Sequence, residues 1–126
     1  MGKFTFRKEE RLNSEKLIRE LFENGTSFQF YPFRVIFLPH PDPAYPFHQV
    51  LISVSARNFK RAVDRNTIKR RVREAYRLNK AKIPSPGKWL IAYIYTAKEI
   101  VTSEVIHRKL PMTFERLQKK EHEKKN

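Results

Sequence analysis

The 126-residue chain contains no cysteine. This absence excludes a disulfide scaffold, a zinc site built on thiolates, an iron–sulfur cluster and a cysteine nucleophile, and it is typical of the reducing cytoplasm. No apolar run approaches the ~20 residues of a membrane-spanning helix, so no partner within the membrane is expected. The first 13 residues are charged throughout and lack the apolar stretch of a secretory signal.

Acidic residues are few: 13 Asp and Glu stand against 27 Lys and Arg, which gives a formal net charge of +14. The excess is concentrated in residues 57–82, where eleven bases accompany only Asp64 and Glu74. Such a field implies a polyanionic partner, nucleic acid first and an anionic membrane surface second. Apolar residues form 40% of the chain, enough for one small core. We therefore predict one RNA-binding domain over 1–126, with frayed ends at about 1–10 and 119–126.

The chain lacks the groupings that a protein nuclease needs, which are paired carboxylates on a metal or a His general acid–base pair. Most acids lie in the first helix and the tail, interleaved with bases as on solvated faces. The histidines are scattered without ligand spacing: His40, His48, His107 and His122. We expect no catalytic residue and no metal site in the protein, and a stand-alone ribonuclease is the unlikely alternative.

Hydrophobic periodicity and turn residues predict an α+β fold. Three helices are predicted: one capped by Asn13 or Ser14 and ending at Asn24-Gly25, a basic helix from about 62–64 to 80–82, and one from about 103 to 118. The predicted strands are a short edge strand before Pro32 and strands over 33–38, 49–55 and 88–96. The order α-β-β-β-α-β-α is typical of a two-layer sandwich of one roughly four-stranded sheet with about three helices. Strand 88–96 is apolar on both faces, which indicates a central strand. Pro111 is expected to kink or restart the last helix.

The basic helix is amphipathic, and its wet face is almost purely cationic. At 100° per residue, one arc of roughly 100° collects Asn66, Lys69, Arg70, Arg73, Arg77 and Lys80. Arg65 lies at the border of this arc, and Arg71 falls on the apolar side, from which it must snorkel. A solvated helix normally alternates Glu with Lys four residues apart, and that alternation is missing here. The pattern favours polyanion binding over a merely solvated face.

RNA is the expected partner of this helix, and DNA is not. A helix-turn-helix would place a second helix just upstream, but a strand is predicted there. Arginine on successive turns suits a folded RNA backbone that is recognised by shape and phosphate contact.

The segment ISVSARNFKRAVDRNTIKRRVREAYRLNK resembles the signature of the protein subunits of bacterial ribonuclease P. In that family a helix opens with Arg-Asn-x-x-Lys-Arg-x-x-Arg. The residues that match this pattern in place are Arg65, Asn66, Lys69, Arg70 and Arg73. The flanking LFENGTS, FRVIFL and WLIAYIY segments are also similar, so the resemblance covers roughly residues 10–118.

The resemblance implies a small basic subunit that joins a large catalytic RNA, and a holoenzyme that cuts the 5′ leader from precursor tRNA. The metal-assisted chemistry is then expected in the RNA, with magnesium, and no cofactor on the protein alone. The family fold includes a left-handed β-α-β crossover. The predicted RNA-binding residues are Arg57, Lys60, Arg61, Arg65, Asn66, Lys69, Arg70, Arg73 and Arg77. A ribosomal-protein-like binder of structured RNA, with no role in cleavage, is the alternative.

The resemblance also implies a cleft between this helix and the sheet face that takes the single-stranded leader. The candidates for its lining are Phe22, Phe33 and Tyr93. For Phe22 the competing interpretation is a place in the core stripe of the first helix. Three positions depart from the family pattern: Thr67 replaces a frequent third arginine, Ile18 stands where Phe is common, and Ile36 stands where some members carry a cleft Tyr.

Overall fold

A computed structural model describes residues 6–83 and 87–125, and it confirms the predicted class and order of elements. The helices and strands are α1 (Glu15–Asn24), β1 (Thr26–Phe30), β2 (Phe33–Pro39), β3 (Gln49–Val54), α2 (Ala62–Asn79), β4 (Trp89–Tyr95) and α3 (Ser103–Lys125). Short 3-10 turns precede α1 at Lys8–Glu10 and follow α2 at Lys80–Lys82. Part of the predicted breaker at 83–87 falls outside the described residues, as do residues 1–5 and 126.

The four strands form one mixed sheet in the order β1-β2-β4-β3. β1 with β2 and β2 with β4 are antiparallel, whereas β3 and β4 are parallel and are joined through α2. Every residue of β4 except the half-buried Ile94 is buried, which confirms the central strand predicted from its two apolar faces. The left-handed crossover stays a prediction from the resemblance.

Residues that alternate along the strands sort into two buried clusters, one on each face of the sheet. The larger cluster includes Phe33 and Tyr93 and packs beneath α2 and α3. The smaller includes Leu21 and Ile36 and lies beneath α1. Because α1 contacts β2 and β4, it leaves the same face of β3 only half-covered at Leu51.

Local signals account for the position of α1. The Ser14 hydroxyl accepts a hydrogen bond from the Leu17 amide at 3.3 Å and so caps the helix as predicted. At the other end the Gly25 amide donates to the Leu21 carbonyl at 2.8 Å. A Cβ atom at position 25 would collide with that carbonyl and lie 2.8 Å from Ile36 Cγ2, so this close approach to the sheet requires glycine.

The structure differs from one expectation about the last helix. α3 is one helix with Pro111 inside it, so it does not restart at Pro111. A kink at Pro111 and frayed ends at about 1–10 and 119–126 stay predictions. At the N-terminal end, Glu10 is buried, and both its carboxylate oxygens lie 2.7–2.8 Å from Lys80 Nζ. This ion pair fixes the residues around Glu10, for which the neighbouring sequence predicts no helix or strand.

Candidate nucleic-acid interface

The basic loop, residues 55–61, is held against the core by one aromatic side chain. Phe59 is buried, with its ring 5.8 Å from that of Tyr95. The Phe59 amide also donates to the Ser55 carbonyl at 3.1 Å, which closes the turn. The basic side chains of the loop are left exposed: Arg57, Lys60 and Arg61.

Arg65 ties this loop to α2. Its Nη1 donates to the carbonyls of Phe59 and Lys60 at 2.7 and 2.9 Å. The sequence placed Arg65 among the RNA-binding residues without any role in the fold. The structure adds that its guanidinium positions the loop, while its contact with RNA stays a prediction.

The middle of α2 carries the cationic face, which we define as Asn66, Lys69, Arg70 and Arg73. Asn66, Arg70 and Arg73 are exposed and Lys69 is half-buried. Within the described part of the chain, none of these side chains has a hydrogen bond or an ion pair. On the opposite side of the helix, Ile68 and Val72 are fully buried against the sheet and α3. Burial of the apolar side therefore fixes the direction in which the charges point, and no protein group of the described residues uses their hydrogen-bonding capacity.

Two other predicted RNA-binding residues have acidic neighbours one turn away. Arg77 pairs with Glu74, and this hydrogen bond holds the pKa of the Glu74 carboxyl below its ordinary value. Arg61 lies 3.9 Å from the Asp64 carboxylate. Surface pairs of this kind contribute only ~0–1 kcal/mol, so they lower the local charge at both ends of the helix without removing either base from reach.

Two bases of α2 and its C-terminal end serve the fold. Arg71 snorkels as predicted, and its Nη1 donates to the Val101 carbonyl at 2.9 Å, just before α3. Lys80, which helical periodicity places on the wet arc, instead pairs with Glu10. No local pattern could reveal that partner, since it lies 70 residues away in the sequence.

Phe33 and Tyr93 do not line a cleft, so those two predictions were wrong. Their side chains are 1% and 0% exposed, and the two rings pack edge to face at 5.3 Å beneath the helices. The Tyr93 hydroxyl lies 2.8 Å from Thr113 Oγ1, and burial raises the pKa of Tyr93. An unpaired base cannot reach either ring. The strand register, which sequence alone did not supply, turns both residues toward α2 and α3.

Phe22 is 47% exposed, whereas its neighbour Leu21 is fully buried. The core-stripe interpretation of Phe22 was therefore wrong, and its place in a cleft stays a prediction. Ile36 is buried beneath α1 and Ile18 is half-buried beside it. The two isoleucines noted above as departures from the family pattern therefore pack in the smaller core cluster, and only Ile18 is partly accessible.

His48 and His40 each have a hydrogen-bond partner within the fold. His48 Nδ1 accepts a hydrogen bond from the Trp89 amide at 3.0 Å, and burial lowers the pKa of His48 to about 4. His40 Nε2 lies 2.9 Å from Gln49 Oε1. Over residues 6–83 and 87–125, no three metal-ligating side chains of the His, Asp or Glu type come together. The same residues form no helix with the length and apolarity needed to cross a membrane.

One family model matches most of this chain: the model of ribonuclease P covers residues 6–118. The chain belongs to the ribonuclease P protein family. The match includes the basic loop, the cationic face and α1, so the resemblance inferred from the Arg-Asn helix is confirmed.

Individual relatives agree with this assignment. The ribonuclease P protein component of Syntrophobacter fumaroxidans is 30% identical over 113 residues, which cover 90% of this chain and 92% of that protein. The component of Porphyromonas gingivalis is 43% identical over 77 residues, which are 61% of this chain and 56% of that protein. This second alignment therefore spans little more than half of the relative's length.

Solved structures show the same fold. The ribonuclease P protein of Thermotoga maritima superposes with a TM-score of 0.70 at 29% identity, covering 85% of this chain and 96% of that one. A Staphylococcus aureus ribonuclease P protein mutant, with defective mRNA degradation activity, superposes with a TM-score of 0.74 at 25% identity, covering 88% and 90%.

Proposed function

We propose that this chain is the protein subunit of a bacterial-type ribonuclease P: it binds a catalytic RNA and the leader of precursor tRNA, and it assists maturation of the tRNA 5′ end. One observation carries the proposal. Four of the five residues at the family's Arg-Asn-x-x-Lys-Arg-x-x-Arg positions, all but Arg65, form the outward-facing cationic face on a helix whose other side is buried.

The cationic face is suited to the RNA backbone by its chemistry. Arginine presents a planar fork that binds two phosphate oxygens at once. Lys69 and Arg73 stand one helical turn apart, about 5–6 Å along the axis, so each side chain can meet a different phosphate. Each phosphate neutralised releases condensed counterions, which is the main source of affinity for a polyanion. Placed between two RNAs, this surface lowers their mutual repulsion.

We place the cleavage chemistry in the RNA subunit, with magnesium as its cation, and assign this chain a binding role. The side chains of the cationic face are arginine, lysine and asparagine. Arginine and lysine offer hydrogen-bond donors and no acceptor, and an amide carries no negative charge, so this set is not suited to act as a general base or as an anionic metal ligand. What these residues offer is hydrogen bonds and positive charge.

The leader is proposed to lie along α1 and the open strip of the sheet. Phe22 projects from the end of α1, and Leu51 on β3 is half-covered on the same face. A base stacked on an exposed ring contributes ~1–3 kcal/mol without regard to its identity. Because mature tRNA has no leader, such contacts favour the precursor alone.

The test is reconstitution at modest magnesium concentration. The protein is mixed with leader-bearing precursor tRNA, with and without a bacterial catalytic RNA. We expect accelerated cleavage at the 5′ end only when protein and catalytic RNA are both present. Cleavage by the protein alone would establish a stand-alone ribonuclease. RNA binding without any preference for precursor over mature tRNA would establish a ribosomal-protein-like binder.

A matched pair of variants connects this activity to the cationic face. Arg73→Ala removes an exposed arginine of that face, and Arg108→Ala removes an exposed arginine of α3 outside it. We expect the first to slow cleavage at low magnesium and the second to leave it unchanged. Equal effects would mean that overall charge, rather than this surface, supports the activity.

A further inference from the structure

A pocket of ≈ 220 Å³ opens at the outer edge of β3, beside the cationic face. We call it the edge pocket, and the residues that line it are Phe6, Arg11, Leu12, Val50, Leu51, Ile52, Lys69 and Arg73. Two of them belong to the cationic face, but Phe6 and Arg11 come from the N-terminal segment. Neither was among the residues expected to bind RNA.

The N-terminal segment is fixed in place by backbone pairing and by an ion pair. Arg11 forms a parallel bridge with Val50, and the Leu12 amide donates to the Val50 carbonyl at 3.0 Å. One residue earlier, Glu10 is held by Lys80 at the end of α2, with 2.7 Å between Oε1 and Nζ. The edge pocket is therefore built by the N-terminal segment, β3 and α2, and the contacts among these three elements keep its wall in place.

The lining combines cations with apolar surface. Arg11, Lys69 and Arg73 supply three positive charges, and no acidic side chain of the described residues lines this pocket. Surface pockets along α3 differ, because Glu115 or Glu123 lines them together with bases.

The apolar part of the pocket is organised around Phe6. The Arg11 guanidinium lies 5.6 Å from the centre of the Phe6 ring, and that ring packs edge to face on Tyr76 at 5.6 Å. The half-buried Leu51 and Ile52 also line the pocket. Cations beside a ring and an aliphatic wall match the two parts of a nucleotide, its phosphate and its base.

We infer that the edge pocket binds one unpaired nucleotide of the catalytic RNA, with its phosphate between Arg11 and Arg73 and its base against Phe6 and Ile52. The volume is below the ~300–1,000 Å³ of pockets for drug-sized ligands, which suits a single base. The base must be unpaired, because a base inside a duplex cannot enter a pocket without leaving the stack.

The catalytic RNA, rather than the leader, is the source of this nucleotide. Lys69 and Arg73 belong to both the edge pocket and the cationic face, so an RNA that covers the face reaches the pocket directly. The leader is proposed to lie on the α1 face of the sheet, along Phe22 and Leu51. Leu51 borders the edge pocket as well, but Ile52, against which the base is placed, packs on the opposite face with α2 and α3. The inference rests on the proposed function, and its test separates the two.

Arg11→Gln is the test variant, and Arg7→Gln is its matched control. Both are exposed arginines of the same segment, and each lies over a phenylalanine ring. They differ in which ring this is: Arg7 lies 5.4 Å from the ring of Phe47, and Phe47 does not line the edge pocket. Dissociation constants are measured for catalytic RNA alone, and then for precursor and mature tRNA with the holoenzyme. We expect Arg11→Gln to weaken binding of catalytic RNA about tenfold, as the loss of one charge-assisted contact implies. The control is expected to change it less than about twofold, and the precursor preference is expected to stay the same.

Photo-crosslinking locates the nucleotide itself. A benzophenone side chain in place of Phe6 is expected to crosslink to an unpaired nucleotide of the catalytic RNA in the holoenzyme. Equal affinities of the two glutamine variants, or crosslinks to paired nucleotides or to the leader, would overturn the inference and leave the proposed function standing. Failure of the unmodified protein to bind catalytic RNA would overturn both.

Discussion

Replacing Arg65 by alanine is expected to weaken both the fold and RNA binding, whereas the same change at Arg70 or Arg73 should weaken RNA binding alone. The difference arises from the partners of each guanidinium. Arg65 Nη1 donates at 2.7 and 2.9 Å to two carbonyls of the basic loop, and Arg70 and Arg73 have no partner in the described part of the chain.

The magnitude follows from the number and setting of these bonds. A hydrogen bond to a charged group contributes ~1.5–3 kcal/mol. Both bonds of Arg65 use one nitrogen, and water can reach the carbonyls after truncation, so we expect a loss near the low end, about 1.5–2 kcal/mol. Arg70→Ala and Arg73→Ala should each stay within ~0.5 kcal/mol of the unmodified protein.

Urea denaturation measures this directly, because the chain has a single tryptophan and that residue, Trp89, is buried in β4. Fluorescence of Trp89 should report loss of the core. A free energy of unfolding for Arg65→Ala within ~0.5 kcal/mol of the unmodified protein would refute the positioning role of Arg65. A loss above ~1 kcal/mol for Arg70→Ala or Arg73→Ala would show that the cationic face is structural.

Three further outcomes follow from burial and pairing. Phe22→Ala should lower the free energy of unfolding by only ~1 kcal/mol, against ~3–5 kcal/mol for the buried Phe33→Ala. It should also lower affinity for precursor tRNA, but not for mature tRNA, by ~1–3 kcal/mol. Equal weakening of both tRNAs would exclude Phe22 from the cleft. Glu10→Gln should cost ~3–5 kcal/mol in urea denaturation because it removes the buried carboxylate that binds Lys80 through both oxygens, and a loss below ~1 kcal/mol would contradict this. Burial holds the pKa of His48 at about 4 in the folded protein, against an ordinary 6.5. As pH falls, His48 is therefore protonated first in the unfolded chain, and up to ~3 kcal/mol of stability should be lost between about pH 6.5 and 4. A His48→Asn variant that shows the same decline would disprove that origin.

Sequence reasoning recovered most of the fold because the decisive signals are local. The Ser14 cap, the two apolar faces of β4 and the stripe of α2 each depend on residues within one element. Those patterns fix the type and order of the elements, and the order favours a two-layer arrangement.

In the candidate site, too, the features set by local signals were predicted and those set by distant residues were not. The direction of the cationic face follows from helical periodicity alone, so Arg70 and Arg73 were predicted correctly as exposed bases. The orientation of Tyr93 depends on strand register, and the partner of Lys80 lies on a segment 70 residues away. These non-local features have no signature in the neighbouring sequence, which is why the predictions that depended on them were wrong.

The most direct test of the account is the salt dependence of binding to catalytic RNA. If the cationic face and basic loop neutralise about five to eight phosphates, the logarithm of affinity should fall with the logarithm of salt concentration at a slope of several units. The double variant Arg70→Ala/Arg73→Ala should reduce that slope by about two. A slope near zero, or an unchanged slope in the double variant, would contradict the assignment of this face to RNA.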